Sequence, residues 1–249
     1  MINIAVCGCN GKMGQVIKSC IDERDNCKIV GGIDINPVQC ADFPVVKSPD
    51  KLPVRPDVII DYSHPSSLDG LLMYALTTGT AVVFATTGYS AEQITQIKSA
   101  SSQVPIFFTF NMSLGINLLV ELAKKAAVVL GGQFDIEIVE KHHNQKIDAP
   151  SGTAIMIADA VNSVLENDCQ YVYDRHSQRK KRDKREIGMH AIRGGTIVGE
   201  HEVIFAGRDE VITLSHSASS KEVFAVGSVN AAIFLSGKPA GLYAMSDLV

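Results

Sequence analysis

The chain has 249 residues, 46% of them hydrophobic, and a formal net charge of −4. That is enough apolar material for one large core or two smaller ones, and the slight acidity gives no general attraction to nucleic acid or an anionic membrane. No apolar run approaches the roughly 18 to 20 residues that span a bilayer, and Met1-Ile2-Asn3-Ile4 enters a strand pattern without a leader, so a cytoplasmic protein with no membrane partner is expected.

Ile2 to Val6 predicts a short buried strand, and Met13, Val16, Ile17, Cys20 and Ile21 follow at helical spacing. Between them lies Gly8-Cys9-Asn10-Gly11-Lys12-Met13-Gly14, a GxxGxxG variant of the dinucleotide-binding turn. Glycines there let the turn close tightly and bring backbone N–H groups and the helix N-terminus against a pyrophosphate. The next strand, Ile29 to Ile33, ends in Asp34, where an acid can accept hydrogen bonds from the adenosine ribose. Asp34 repels the 2′-phosphate of NADPH, and Ile35 and Asn36 supply no guanidinium to hold it. NADH is therefore favoured, with Lys12 leaving NADPH use open.

Apolar strands at Asp57–Tyr62, Ala81–Ala85 and Val104–Phe108 alternate with helical stretches, one of them opened by the capping pair Ser90 and Gln93. Such alternation predicts an α/β fold, a Rossmann-like doubly wound parallel sheet, with its ligand beyond the carboxyl ends of the strands. Ala85, Thr86 and Thr87 after one strand and Phe110, Asn111 and Met112 after another would then line the nicotinamide site. A helix is predicted over Leu114–Leu130, and Phe134 to Glu140 switches to period-two alternation. This predicts a second α+β domain with a mostly antiparallel sheet.

Further along, Ala154, Ile157, Ala158, Val161 and Leu165 form a helical face, strands are predicted over 187–192, 196–205 and 211–216, and a last helix over Lys221–Leu235. Seven Lys or Arg fall within the eleven residues Arg175 to Arg185. Without interleaved aromatics they read as a solvated, mobile loop that adds positive potential, rather than as a nucleic-acid site. The expected division is a dinucleotide-binding domain over 1–111 and 226–249, and a substrate-binding and oligomerisation domain over 112–225. Cys7, Cys9, Cys20, Cys27, Cys40 and Cys169 are scattered, form no CxxC pair, and read as thiols.

Polar chemistry concentrates between Glu140 and Ala154. Pro150 biases Ala149 away from helix, Ser151 can cap, and the amides of Gly152, Thr153 and Ala154 then point out of a helix N-terminus as an anion site suited to a carboxylate. Lys146 adds a positive charge, and His142 and His143 can donate hydrogen bonds or a proton near neutral pH. Adjacent strand residues face opposite ways, so the two imidazoles have different roles. Glu140 and Asp148 beside His-His make poor chelate geometry, so no metal is expected, and Ser151 lacks the GxSxG context of a nucleophile.

These residues carry a resemblance. Glu140 to Ala154 matches E-x-H-H-x-x-K-x-D-A-P-S-G-T-A, the pattern of the 4-hydroxy-tetrahydrodipicolinate (dihydrodipicolinate) reductase family of diaminopimelate and lysine biosynthesis. Gly8-x-x-Gly11-x-Met13-Gly14, Thr86-Thr87-Gly88 and Ser236-Gly237-Lys238 through Gly241-Leu242 are similar to that family as well. The resemblance implies NAD(P)H-dependent reduction of a cyclic dicarboxylate by a homotetramer assembled through the second domain. It implies His142 and Lys146 as the catalytic groups, and His143, Ser151, Gly152 and Thr153 as substrate-carboxylate ligands. Cofactor contacts would come from Gly8, Asn10, Gly11, Lys12, Met13, Gly14, Asp34, Ala85, Thr86, Thr87, Phe110, Asn111 and Met112. Family members often carry Arg after the ribose-binding acid, and Ile35 departs from that.

Overall fold

The alternating pattern folds, in chain order, into β1 (Ile2–Cys7), α1 (Lys12–Asp22), β2 (Cys27–Ile33), β3 (Val45–Val46), β4 (Val58–Asp61), α2 (Leu68–Thr78), β5 (Ala81–Phe84), α3 (Ala91–Ala100), β6 (Pro105–Phe108) and α4 (Leu114–Leu130). There follow β7 (Asp135–His142), α5 (Gly152–Ser163), β8 (Gln170–Val172), β9 (Glu186–Arg193), β10 (Gly199–Ala206), β11 (Val211–Ala218), α6 (Glu222–Leu235) and β12 (Gly241–Tyr243). This is a computed structural model; it describes residues 1–38 and 42–248, so Cys40 lies outside the described residues. Cys7, Cys9, Cys20, Cys27 and Cys169 are free thiols. The chain divides into two units, Met1–Leu114 with Glu222–Val249, and Gly115–Lys221.

The first unit holds a seven-stranded sheet in the order β12-β6-β5-β4-β1-β2-β3, with every pairing parallel. Its central strands are buried on both faces, which is why they read as continuous apolar runs. Successive residues divide between two cores. Ile4, Val6, Ile60 and Val83 pack with Ile17 and Ile21 of α1 and Val229 and Leu235 of α6. Ala5, Cys7, Ile59 and Phe84 pack with Leu68 and Leu71 of α2 and Ile97 of α3. The sheet is thus wound on both faces, and α6 joins this unit from the far end of the chain. Gly227 lets α6 sit directly on the chain near β6, since a Cβ there would lie 1.7 Å from the Met112 carbonyl oxygen. Ser90 and Gln93 form the reciprocal capping box that starts α3.

The second unit holds five strands in the order β11-β10-β7-β9-β8. The sheet is mixed where alternation alone predicted a mostly antiparallel one. The pairs β10–β11 and β10–β7 are antiparallel, whereas β7–β9 and β8–β9 are parallel. Periodicity reports which face of a strand is covered and carries no information about a neighbour's direction. On the covered face Ile136, Ile138, Val203 and Phe205 pack against Leu119 and Ala123 of α4 and Ile157 and Val161 of α5. The other face carries charge: Lys141 bonds Glu200 at 3.0 Å and Glu202 at 2.9 Å across β7 and β10.

The basic segment differs from the expected free loop. Arg175 donates to Glu186 and Glu137, both at 2.8 Å. Arg182 donates to Glu137 at 2.9 Å, to Asp135 at 3.0 Å and to the Ile136 carbonyl at 2.9 Å. Arg175, Lys180 and Arg182 thus pair with acids of β7 and β9 while Arg179, Lys181 and Lys184 stay exposed, and counting charges along the sequence could not show which partners the fold brings to the segment.

Candidate active site

In the second unit β7 delivers Glu140 and His142 to the covered face, because residues two apart on a strand point the same way. Glu140 has no exposed surface. It accepts His142 Nδ1–H at 2.6 Å, the Ser151 amide at 3.0 Å, and both terminal nitrogens of Arg193 at 2.8 and 2.7 Å. Arg193 is the register partner of His142 on β9, and it also donates to the Asp148 carbonyl at 2.7 Å. One carboxylate therefore ties together the imidazole, the start of α5 and the loop between them.

Electrostatics follow from this packing. Burial pushes the Glu140 carboxyl up, but the bonds from Arg193, His142 and the Ser151 amide outweigh it and hold the group below the ordinary carboxylate range. Burial pulls the His142 imidazole down most; Glu140 opposes that, and the charges of Lys146 and Arg193 add to it, leaving the group below its usual value. An ionised Glu140 can only accept, so the proton of neutral His142 resides on Nδ1 and Nε2 carries a lone pair. Gly199 flanks that nitrogen, since a Cβ there would stand 3.2 Å from Nε2.

Ser151 caps α5, its Oγ accepting the Ala154 amide at 3.2 Å and lying 3.1 Å from His201 Nε2. His201 is buried, its ring edge-on to that of His142 at 5.2 Å, and burial together with the neighbouring His142 lowers it to about 4. The helix N-terminus beyond Ser151 starts with Gly152 and Thr153 and supplies amides for an anion. Lys146 pairs with Asp148 at 2.8 Å and its amide donates to the His143 carbonyl at 3.1 Å. His143 is half-buried, outside the Glu140 cluster, so the two imidazoles do occupy different surroundings.

In the first unit, Gly8 has φ +79°, and a Cβ on it would lie 2.6 Å from the Tyr62 carbonyl oxygen. A Cβ on Gly14 would lie 2.4 Å from the Gly8 carbonyl oxygen and 2.5 Å from that of Cys9. The turn therefore closes only with glycine at these two positions, as a pyrophosphate cradle requires. The Asn10 amide donates to Asp34 Oδ2 at 3.0 Å and the Asn36 amide to Oδ1 at 3.0 Å, which joins the turn to the acid that ends β2. Gly11 and Lys12 are exposed. A nicotinamide dinucleotide fits these residues: a tight glycine turn, a helix N-terminus and a strand-end carboxylate.

The remaining strand-end residues are less uniform than the sequence implied. Thr87 is exposed and Phe110 is 70% exposed. Ala85 and Met112 lie in the core, and Met13 packs against it. Thr86 is buried, with its hydroxyl donating to Asp61 at 2.8 Å. Asn111 is buried, and its Oδ1 accepts the Ser113 amide at 2.8 Å. Among the described residues, no group of three His, Cys, Asp or Glu is placed to hold a metal ion, and no helix is long and apolar enough to cross a membrane.

Sequence reasoning left Glu140 without a role and passed over Arg193, His201 and Asp61. The two-residue spacing of Glu140 and His142 on an alternating strand was the available signal for the first. The others needed strand register, which only the fold supplies.

A family model described as dihydrodipicolinate reductase, N-terminus, matches residues 2–112, and its C-terminus counterpart matches residues 115–249. A 4-hydroxy-tetrahydrodipicolinate reductase from Caldanaerobacter subterraneus subsp. tengcongensis is 52% identical over 249 residues, covering 100% of this chain and 98% of that protein. One from Clostridium tetani is 46% identical over 249 residues, covering 100% and 97%. Among solved structures, dipicolinate-bound dihydrodipicolinate reductase from Paenisporosarcina sp. TG-14 is similar over 100% of both chains, with a TM-score of 0.82 at 25% identity.

Proposed function

The chain belongs to the dihydrodipicolinate reductase family, and from that membership we propose that it reduces 4-hydroxy-tetrahydrodipicolinate, by way of dihydrodipicolinate, to tetrahydrodipicolinate in diaminopimelate and lysine biosynthesis. A nicotinamide cofactor, when bound, supplies the hydride. The observation that carries the reading is the Glu140 cluster, which sets a neutral imidazole beside a helix N-terminus suited to a carboxylate.

The amides of Gly152 and Thr153 and the side chains of Thr153 and His143 hold the substrate's carboxylates and fix its ring. Negative charge spreads toward the ring nitrogen during reduction, and a proton must balance it. Lys146 Nζ delivers that proton. His142, lowered by burial and with its Nδ1 proton committed to Glu140, accepts a hydrogen bond at Nε2 and orients the ring. Gly8, Asn10, Gly11, Lys12, Met13 and Gly14 form the cofactor's phosphate cradle, Asp34 takes the ribose, and 85–87 with 110–112 border the nicotinamide.

NADH is the proposed preference, supported by Asp34 and by Ile35, which is 94% exposed where a guanidinium would be needed. Family membership is likewise the support for a homotetramer and for a cytoplasmic location. The test is an NADH-oxidation assay with the condensation product of pyruvate and aspartate semialdehyde, repeated with NADPH. Oxidation that depends on that condensation product is expected, and none with either cofactor would overturn the proposal.

A further inference from the structure

One buried charge of the first unit is unused by this chemistry. Asp61 ends β4 with no exposed surface. Its Oδ1 accepts the Ser63 amide at 3.1 Å and the Ser63 hydroxyl at 2.5 Å. Its Oδ2 accepts the Thr86 hydroxyl and the Tyr89 hydroxyl, each at 2.8 Å. All four donors are neutral, and they come from two separate loops, the one after β4 and the one after β5.

A carboxylate taken out of water is costly unless its lone pairs are filled. The two loops are therefore held jointly, since neither can move without stranding the charge. The direction of the bonds also decides which groups face outward. Thr86 is turned inward to reach Asp61, so the 86–88 turn leaves Thr87 exposed. Tyr89 is tied by its hydroxyl, its ring lies edge-on to Phe108 at 6.3 Å, and Phe108 is edge-on to the exposed Phe110 at 5.4 Å. The carbonyl of Tyr62, next to Asp61, occupies the space that glycine leaves at position 8.

We propose that Asp61 is the positioning residue of the cofactor site: it touches no cofactor, but through Ser63, Thr86 and Tyr89 it sets the strand-end loops that border the nicotinamide. This rests on the reading of those strand ends as cofactor-binding. A hydroxyl or amide at the same place could not accept four donors at once. A residue serving only stability would lower the melting temperature while leaving the folded protein's ligand affinities as they were.

Calorimetry on the full chain, with NADH and separately with dipicolinate, distinguishes the two roles. Asp61→Asn is expected to raise the NADH Kd about tenfold, the loss of bonds to a charged acceptor, and to leave the dipicolinate Kd within about twofold. Tyr89→Phe is expected to raise the NADH Kd by about threefold alone, and to add nothing in the Asp61→Asn background. Unaltered NADH affinity in the two single variants, or equal losses for both ligands, would overturn the proposal. If circular dichroism shows Asp61→Asn to be unfolded, Tyr89→Phe decides alone, and unchanged NADH affinity overturns it. Failure of the unaltered chain to bind NADH or NADPH would overturn the cofactor-site reading, and this proposal with it. Normal binding by the unaltered chain and the variants alike would overturn this proposal only.

Discussion

Glu140 Oε2 lies 2.6 Å from His142 Nδ1, and the same carboxylate receives the paired nitrogens of Arg193. The imidazole is thus held in one tautomer by a charge that is itself neutralised. Glu140→Gln removes the charge and leaves the half-buried Arg193 guanidinium without its carboxylate, a change that costs at most about 3 kcal/mol by comparison with fully buried pairs. Turnover is expected to fall on the order of 100-fold while the NADH Kd stays unchanged. Steady-state rates with calorimetry check both, and full turnover in this variant would remove the orienting role.

The same pair sets the acid limb of activity. His142 sits below the ordinary imidazole value of 6.5, so its Nε2 lone pair persists to lower pH than in a free histidine. The rate is expected to decline only below that value. Glu140 raises His142, so Glu140→Gln should move the residual activity's acid limb to still lower pH. A limb that moves upward would contradict the assignment.

Stability should fall with acid in two stages. His201 is lowered to about 4 from 6.5, chiefly by burial, so the unfolded chain binds the proton first between those values and folding weakens as pH drops. Glu186 is lowered from 4.5 to about 2, chiefly by the bond from Arg175. Its contribution is complete above 4.5 and is lost as pH falls toward about 2. Melting temperatures across this range should decline throughout, and Arg175→Ala should flatten the decline below 4.5. An unchanged acid slope in that variant would show that the pair contributes nothing.

The first unit was largely legible because burial on both faces leaves continuous apolar strands, and α3 starts on a local signal, the Ser90 and Gln93 box. Edge strands β3 and β12, two and three residues long, were too short to give a period. In the second unit, alternation located β7 and β10, but not that β9 runs parallel to β7. The same limit governed the site. His142, Lys146 and Ser151 lie within one stretch of chain, whereas Arg193, His201 and the inward turn of Thr86 depend on strands that meet only through register.

Cofactor choice should depend on a single exposed position. Asp34 accepts the amides of Asn10 and Asn36, so its carboxylate is fixed at the end of β2, and Ile35 beside it projects into solvent. Ile35→Arg offers a planar cation for a 2′-phosphate without disturbing packing. NADPH affinity is expected to rise about tenfold with little change for NADH, a charge-assisted contact contributing about 1.5 kcal/mol. Equal cofactor preference before and after the change would place the 2′-position elsewhere.

Gly14 provides the sharpest steric test of the phosphate cradle. It lies in the first turn of α1, where a Cβ would stand 2.4 Å from the Gly8 carbonyl oxygen and 2.6 Å from the Cys9 carbonyl carbon. Both are backbone atoms, so no rotamer change relieves the clash, and the turn itself must open. Gly14→Ala should therefore cost about 1–3 kcal/mol of stability and weaken NADH binding at least about tenfold. Gly152→Ala is the matched control: a Cβ there meets nothing within 4 Å, so stability should hold. Differential scanning calorimetry and NADH titration of both variants measure the contrast, and a Gly14→Ala chain that melts and binds like the unaltered one would show that the turn is not the tight cradle its geometry describes.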